Sequence, residues 1–392
     1  MSKLKVAALQ GLSASSDAIT LANDGTCTAN ITNRSNRNLI INGAMQVAQR
    51  GTSSTTSGYG SVDRMQIQYG GNDEAPTHSQ VDVANGTTPY TLGFRKALKL
   101  TNGNQSSGFD ADDFIRVDTK LEAQDLANSG WNYKSSSSYI TLSYWVKSSV
   151  AQEFFGYLYI NDTPYKYGWS LGSLSADTWT KIVVNISGNS NLAINNDNGV
   201  GCWLNLLGIW GTNKTASDAT PNTWMAWDGT KRSTDQASTW YTTNDATFEI
   251  TGVQFEVGSV ATDFEHRSYA DELLRCKRYY VEMGRGYSGE SGYVLNGLQA
   301  YATTHLYGVL AQLPVTMRAK PTCTTVGSIK FSNAAGSNVY APSSTLTANH
   351  SSTNYIGTSG TSFGSSLFIQ GGFAVTYAEP DGTNYVKVDA EL

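Results

Sequence analysis

The chain has 392 residues, 27 Lys+Arg against 32 Asp+Glu, and a formal charge of −5. Only 15% of it is charged, against about 25% in ordinary soluble proteins, while Ser, Thr and Asn supply about 29%. Such a composition discourages long solvent-facing helices; 22 Tyr, 12 Phe and 9 Trp are not the composition of a disordered chain, and nucleic acid is not an expected partner of an acidic chain without a Lys/Arg cluster.

The length allows two to three domains. Residues 1–37 are thin and polar: Ala18–Leu21 and Cys27–Ile31 flank the turn signal Asn23-Asp24-Gly25, which predicts a hairpin that needs a neighbour to bury anything. Met1–Lys5 carries two lysines but no apolar run behind them, so no secretory leader is expected, and no stretch approaches the roughly 20 apolar residues of a membrane span.

From 38 to 266 the pattern is half-buried strands. Ile140, Leu142, Tyr144 and Val146 alternate with Tyr139, Thr141, Ser143 and Trp145. Ile182, Val184 and Ile186 repeat the period of two, and Ile115, Val117 and Leu121 do so beside Arg116, Asp118 and Lys120. In Phe248–Val257 the phase slips at Gly252, which predicts a β-bulge. Many short strands joined by Gly, Ser and Asn turns read as an antiparallel β-sandwich. All 9 tryptophans fall between Trp131 and Trp240, which marks this region as one unit.

Over 267–284 the period changes. Tyr269, Leu273, Cys276, Tyr280 and Met283 are spaced 4, 3, 4, 3, which predicts one helix with Ser268 as N-cap, Asp271 and Glu272 in its first turn, and Gly284 as terminator. The stripe suits either packing on the chain's own sheets or a seam between subunits. Residues 285–392 return to strands, with Leu313–Pro321 as an edge strand or linker and Tyr385–Ala390 alternating again.

Catalytic signatures are sparse. His78, His266, His305 and His350 have no zinc-type spacing, and no nucleophile elbow, phosphate loop or dinucleotide fingerprint occurs, so no cofactor is expected. Cys27, Cys202, Cys276 and Cys323 are dispersed and read as structural thiols. Asp110, Asp112 and Asp113 could offer oxygen ligands to calcium, as could Asn196–Gly199 more weakly, but such turns also occur simply solvated or capping. The segment 211–246 is polar and turn-rich yet holds Trp224, Trp227, Trp240 and Tyr241. Aromatic rings on a loop suit the flat apolar face of a sugar, with a packed lid or subunit contact as the alternative.

Phe248–Gly258 (FEITGVQFEVG) and Ala261–Tyr280 (ATDFEHRSYADELLRCKRYY), together with Asn38–Gly51, Asp63-Arg64, Leu313–Pro321 and Val388–Leu392, resemble the tail-fibre or appendage proteins of tailed bacteriophages, especially marine and cyanobacterial ones. The resemblance implies a jelly-roll sandwich like a carbohydrate-binding module, a linking helix and a β-rich tip, as a homotrimer in the virion, made in the host cytoplasm, and it supplies no catalytic residues to carry over; no enzyme is expected. Beside a glycan-binding fibre stand two other readings, a capsid-attached or tail-connecting component without ligand and a polysaccharide depolymerase. Residues 1–37 would attach the protein to other virion components or help it oligomerise; the resemblance itself assigns them no role.

Overall fold

The computed structural model describes residues 6–10, 12, 19–21, 27–29, 36–283, 295–302, 305–326, 329–333, 339–340, 351–362, 373–378 and 385–392. Strands β1 (Ala8–Leu9), β2 (Ile19–Leu21) and β3 (Cys27–Ala29) form a small antiparallel sheet. The expected hairpin is its second half, with Ile19 opposite Ala29 and Leu21 opposite Cys27; the turn at Asn23–Gly25 lies outside the described residues.

The sandwich follows, in chain order β4 (Ser53–Ser54), β5 (Gln66–Gly70), β6 (Thr77–Asp82), β7 (Lys96–Thr101), β8 (Phe114–Glu122), β9 (Tyr139–Ser148), β10 (Gln152–Ile160), β11 (Tyr165–Leu174), β12 (Thr180–Ser187), β13 (Val200–Trp210), β14 (Trp224–Ala226) and β15 (Thr247–Val257). They make two antiparallel six-stranded sheets, β14-β11-β10-β13-β8-β5 and β12-β9-β15-β7-β6-β4. Neighbours far apart in sequence, such as β8 between β5 and β13, give the crossovers of a jelly roll.

The alternation read from the sequence points where expected. Ile140, Leu142, Tyr144 and Val146 are fully buried between the sheets and meet Leu204, Leu206, Ile115 and Val117 in one continuous core. Each such side chain contributes about 1.5–3 kcal/mol by leaving water. The bulge also stands where the phase slipped: the β15–β9 register shifts between Thr251 and Gln254, and Gly252 has φ +65°. A Cβ there would lie 2.6 Å from the Phe94 ring, so both the backbone angle and the packing require glycine.

The helix is shorter than the spacing predicts. It runs Tyr269–Lys277, capped by the Ser268 hydroxyl accepting from the Asp271 amide at 3.2 Å, and it ends at Arg278. Tyr280 and Met283 instead lie in β16 (Tyr280–Met283), which pairs with the final strand. Gly284 lies outside the described residues. The one helical stripe is therefore two elements, because strand pairing at 280–283 competes with a last helical turn and satisfies the same backbone groups.

Beyond it come β17 (Leu295–Ala302), β18 (His305–Gln312), β19 (Thr322–Val326), β20 (Ile329–Asn333), β21 (Val339–Tyr340), β22 (Tyr355–Ser362), β23 (Phe373–Ala378) and β24 (Tyr385–Asp389). They form a six-stranded sheet β21-β20-β23-β17-β18-β22 and a three-stranded sheet β16-β24-β19. Leu313–Pro321 is a linker rather than a strand, anchored by buried Met317.

The chain end docks on the sandwich. Arg50 pairs with Glu391 at 3.2 Å and Asp389 at 3.1 Å, and Arg64 pairs with Glu391 as well. Arg50 lies 3.5 Å over the Tyr280 ring. Arg318 donates to the Ala390 carbonyl at 2.8 Å and the Glu391 carbonyl at 3.1 Å, while Arg278 makes a two-pronged bond to Glu122 at 2.7 Å. Residues of Asn38–Gly51, Asp63-Arg64, Ala261–Tyr280, Leu313–Pro321 and Val388–Leu392 thus meet at one joint.

Candidate functional site

The outer face of the sheet β14-β11-β10-β13-β8-β5 is spelled out by register. One row across it reads Gly168, Tyr157, Asn205, Asp118, Gln66; the next reads Lys166, Tyr159, Trp203, Lys120. On the other side of the first row lie Phe155, Gly208, Arg116 and Gln68, then Trp210 beside Phe114. These residues occupy the alternate positions to the core set, as the period of two demands.

The rings form a layered platform. Tyr157 and Trp210 are buried at its floor, at 6.3 Å between centroids. Trp203, Tyr159 and Trp227 lie half-buried above, with Tyr159 5.7 Å from Trp203 and 4.7 Å from Trp227. Trp227 arrives from the segment after β14, held by its amide donating to the Pro164 carbonyl at 2.8 Å.

Charge is interleaved with the rings. Arg116 pairs with buried Asp118 at 3.1 Å, lies 5.3 Å over Trp203 and donates to the Gln68 side chain. Lys120 stands 4.8 Å from the Trp203 ring, and Arg232 lies 4.5 Å over Trp210 and 5.9 Å over Trp227. Burial pushes the Asp118 carboxyl up, against the pull of Arg116. Burial also carries the Tyr157 hydroxyl up to about 12 and the Lys166 ammonium down to about 8. Polar capacity is left over: Trp203 Nε1, Trp210 Nε1, Asn205 Oδ1 and Gln66 Oε1 are buried atoms with no hydrogen-bond partner among the described residues. Such atoms are costly to bury unless something meets them.

The loop aromatics picked from the sequence separate into surface and interior. Trp227 belongs to the platform. Trp224 is half-buried at the sheet margin, 5.4 Å from the Tyr167 ring, with Nε1 donating to the Ser187 carbonyl at 2.7 Å. Trp240 and Tyr241 are at 0% and 1% exposure in the sandwich core, and Trp240 Nε1 donates to the Thr247 carbonyl at 3.0 Å. Neither can stack on a ligand, because a short helical turn at Thr239–Thr242 folds them inward. Tyr157, Tyr159, Trp203, Trp210, Arg116 and Arg232 complete this face and lie outside the set of candidate residues that the sequence offers. The signal for them was present: large aromatics at the polar-phase positions of β10 and β13.

The proposed seam does not form one surface either. Cys276 and Tyr280 are buried within the protomer at 1% and 2% exposure, whereas Tyr269 is exposed and Leu273 and Met283 are half-buried. The acidic turn diverges instead of converging on an ion. Asp112 is exposed and bonds Asn213 and Lys214, while buried Asp113 accepts from the Asp110 amide at 2.7 Å. In the second turn, Asp197 accepts from the Gly199 amide, and Asn198 exchanges hydrogen bonds with Arg318. Among the described residues no three His, Cys, Asp or Glu side chains are grouped to hold a metal. His78 is buried, bonded to Ser61 at 2.7 Å and the Thr56 carbonyl at 3.0 Å. Cys202 and Cys276 are free and buried, and burial pushes the Cys202 thiol up to about 12. A hollow of about 960 Å³ between residues 36–41, 124–129 and 256–262 has no aromatic ring among its described lining residues.

These features define an antiparallel jelly-roll sandwich with an aromatic outer sheet face, followed by a linking helix and a second β-rich module. No protein-family model matches the chain, and no curated protein matches its sequence. Solved structures similar to it include the enzymatically active domain of tailspike protein 4 of bacteriophage CBA120, at 9% identity and TM-score 0.31 over 57% of this chain and 22% of that one. The chain thus spans about a fifth of that tailspike's length. The tripod from the baseplate of bacteriophage Tuc2009 is similar at 11% identity and TM-score 0.26, over 60% and 59% of the two chains. The family 11 carbohydrate-binding module of Clostridium thermocellum is similar at 10% identity and TM-score 0.25, over 55% and 98%. Among the described residues no helix is long and apolar enough to cross a membrane.

Proposed function

We propose that this protein is a non-enzymatic receptor-binding appendage of a phage tail, and that its sandwich binds host-surface carbohydrate on the outer sheet face. The observation that carries this reading is the half-buried set Trp203, Tyr159 and Trp227 on one face, floored by Tyr157 and Trp210. The three rings are set at 59° and 68° to one another, so they form a faceted apolar surface that suits the apolar face of a sugar, and polar groups beside them suit its hydroxyls. The phage assignment is supported by the resemblance of the segments that meet at the joint. A virion location and a homotrimer are part of the proposal, since association covers sheet edges that a lone sandwich exposes.

The test is adsorption of the protein to host cells with Trp203→Ala and Trp227→Ala combined. Loss of adsorption with an unchanged melting curve is expected. Unchanged adsorption would favour the alternative of a structural component with no ligand. Release of reducing sugars from host envelope by the wild-type protein would overturn the non-enzymatic part. A stable monomer in sedimentation at micromolar concentration would overturn the trimer.

A further inference from the structure

The charges on the platform do not balance. Around it stand Arg116, Lys120, Lys166, Lys231 and Arg232, against Asp118, Asp218 and Asp228. Two pairs cancel: Arg116 with Asp118 at 3.1 Å and Lys231 with Asp218 at 2.5 Å. At the margin Arg50 and Arg64 are met by Asp389 and Glu391. Lys166 and Arg232 have no Asp or Glu oxygen within 4 Å among the described residues; the acid whose charge reaches Lys166 is Asp228, and the one that reaches Arg232 is Asp118, already paired with Arg116. Lys166 is met by backbone carbonyls of Lys231 and Arg232, and Lys120 donates to the terminal oxygen of Leu392 at 2.7 Å. Arg232 spends one donor on the Gly229 carbonyl at 3.2 Å. Lys166 is buried at 1% exposure, so in a protein of formal charge −5 it is Arg232, half-buried over the rings, that this face presents as a cation with no acidic partner of its own.

We infer that the ligand of this face is an anionic saccharide, carrying carboxylate or sulfate groups. This rests on the carbohydrate reading above and narrows it. A guanidinium half-withdrawn from water over two indoles gains most from an anion, because charge-assisted bonds are the strong ones and the planar fork matches a carboxylate or sulfate edge. A neutral sugar would leave Arg232 without a counter-charge. The remainder of the acidic surface would repel a polyanionic envelope, so the same imbalance orients approach through this face.

The experiment is affinity gel electrophoresis of the full chain in polygalacturonate and in dextran sulfate, each beside its uncharged counterpart, fully methyl-esterified galacturonan and dextran. At least one charged polymer is expected to retard the protein about tenfold more strongly than its counterpart, with retardation fading between about 0.05 and 0.5 M salt. Polygalacturonate against dextran sulfate separates carboxylate from sulfate recognition. Arg232→Gln and Trp227→Ala should each reduce retardation about tenfold with unchanged melting curves; Lys120→Gln serves if Arg232→Gln does not fold. Equal retardation by charged and uncharged partners, or by uncharged polymers alone, overturns the anionic inference and leaves carbohydrate binding standing. Retardation that survives both Arg232→Gln and Trp227→Ala places the polyanion elsewhere and also overturns it. No retardation by any of the four polymers overturns the inference together with the carbohydrate reading.

Discussion

The guanidinium of Arg64 lies 3.5 Å from the centre of the Tyr279 ring, and its charge is met by Glu391, 327 residues later in the chain. Arg64 is buried at 2% and its φ is +67°, so both its charge and its backbone are held by surroundings that include the chain end. One carboxylate, Glu391, serves two buried arginines. Removing it strands Arg64 and leaves Arg50 with Asp389 alone.

Glu391→Ala is therefore expected to cost about 3–5 kcal/mol, the usual consequence of leaving buried charge uncompensated. Denaturant unfolding followed by tryptophan fluorescence would measure it. A cost below about 1 kcal/mol would mean that the joint is solvated and its ion pairs are of the weak surface kind.

Asp63 gives this joint a pH dependence. Burial raises its carboxyl to about 6, against the opposing hydrogen bonds from Gln49 and the charge of Arg50. A carboxyl raised above its unfolded value supports the fold while protonated. Its contribution is fully present below about pH 4 and is lost as pH rises through about 6. The difference in melting temperature between wild type and Asp63→Asn should thus shift in favour of Asp63→Asn between pH 4 and pH 6.5. A difference that stays flat across that window would show that Asp63 titrates normally.

Gly252→Ala tests the bulge. A φ of +65° and a Cβ 2.6 Å from the Phe94 ring both oppose it, so a loss of about 1–3 kcal/mol or more is expected. The control is Gly86→Ala, whose φ is +84° but whose Cβ would meet nothing within 4 Å. A larger loss at Gly252 than at Gly86 would isolate the Phe94 contact from backbone strain.

Trp240 and Trp227 should respond oppositely. Trp240→Ala empties a core position and is expected to cost about 3–5 kcal/mol of stability. Trp227→Ala should leave the melting curve nearly unchanged while reducing carbohydrate retardation. Calorimetry and affinity electrophoresis on the same two proteins would check both, and equal destabilisation would place Trp227 in the core as well.

Much of this was legible in the residues. A period of two requires one face in water and one in the core, so β9, β12 and β8 were readable from Ile140–Val146, Ile182–Ile186 and Ile115–Leu121. The slip at Gly252 and the cap at Ser268 are equally local: each is set by a few neighbouring backbone groups. The helix end was not local. Whether 280–283 continues a helix or joins a sheet depends on β24, about a hundred residues away, offering partners.

By itself the sequence determined the antiparallel strand architecture, the bulge and the start of the helix, because these follow from side-chain period and from backbone freedom within a few residues. The tertiary structure alone decided which rings lie on the outer sheet face. Trp227 and Trp240 sit in the same polar segment, yet one lies on the sheet face and the other is sealed in the core, since burial is a property of what folds over a residue. It also brought Arg64 to Glu391, and Arg116, Trp203 and Arg232 to one surface. Those distances are created by strand order, and strand order is settled by long-range pairing that no local window of residues contains.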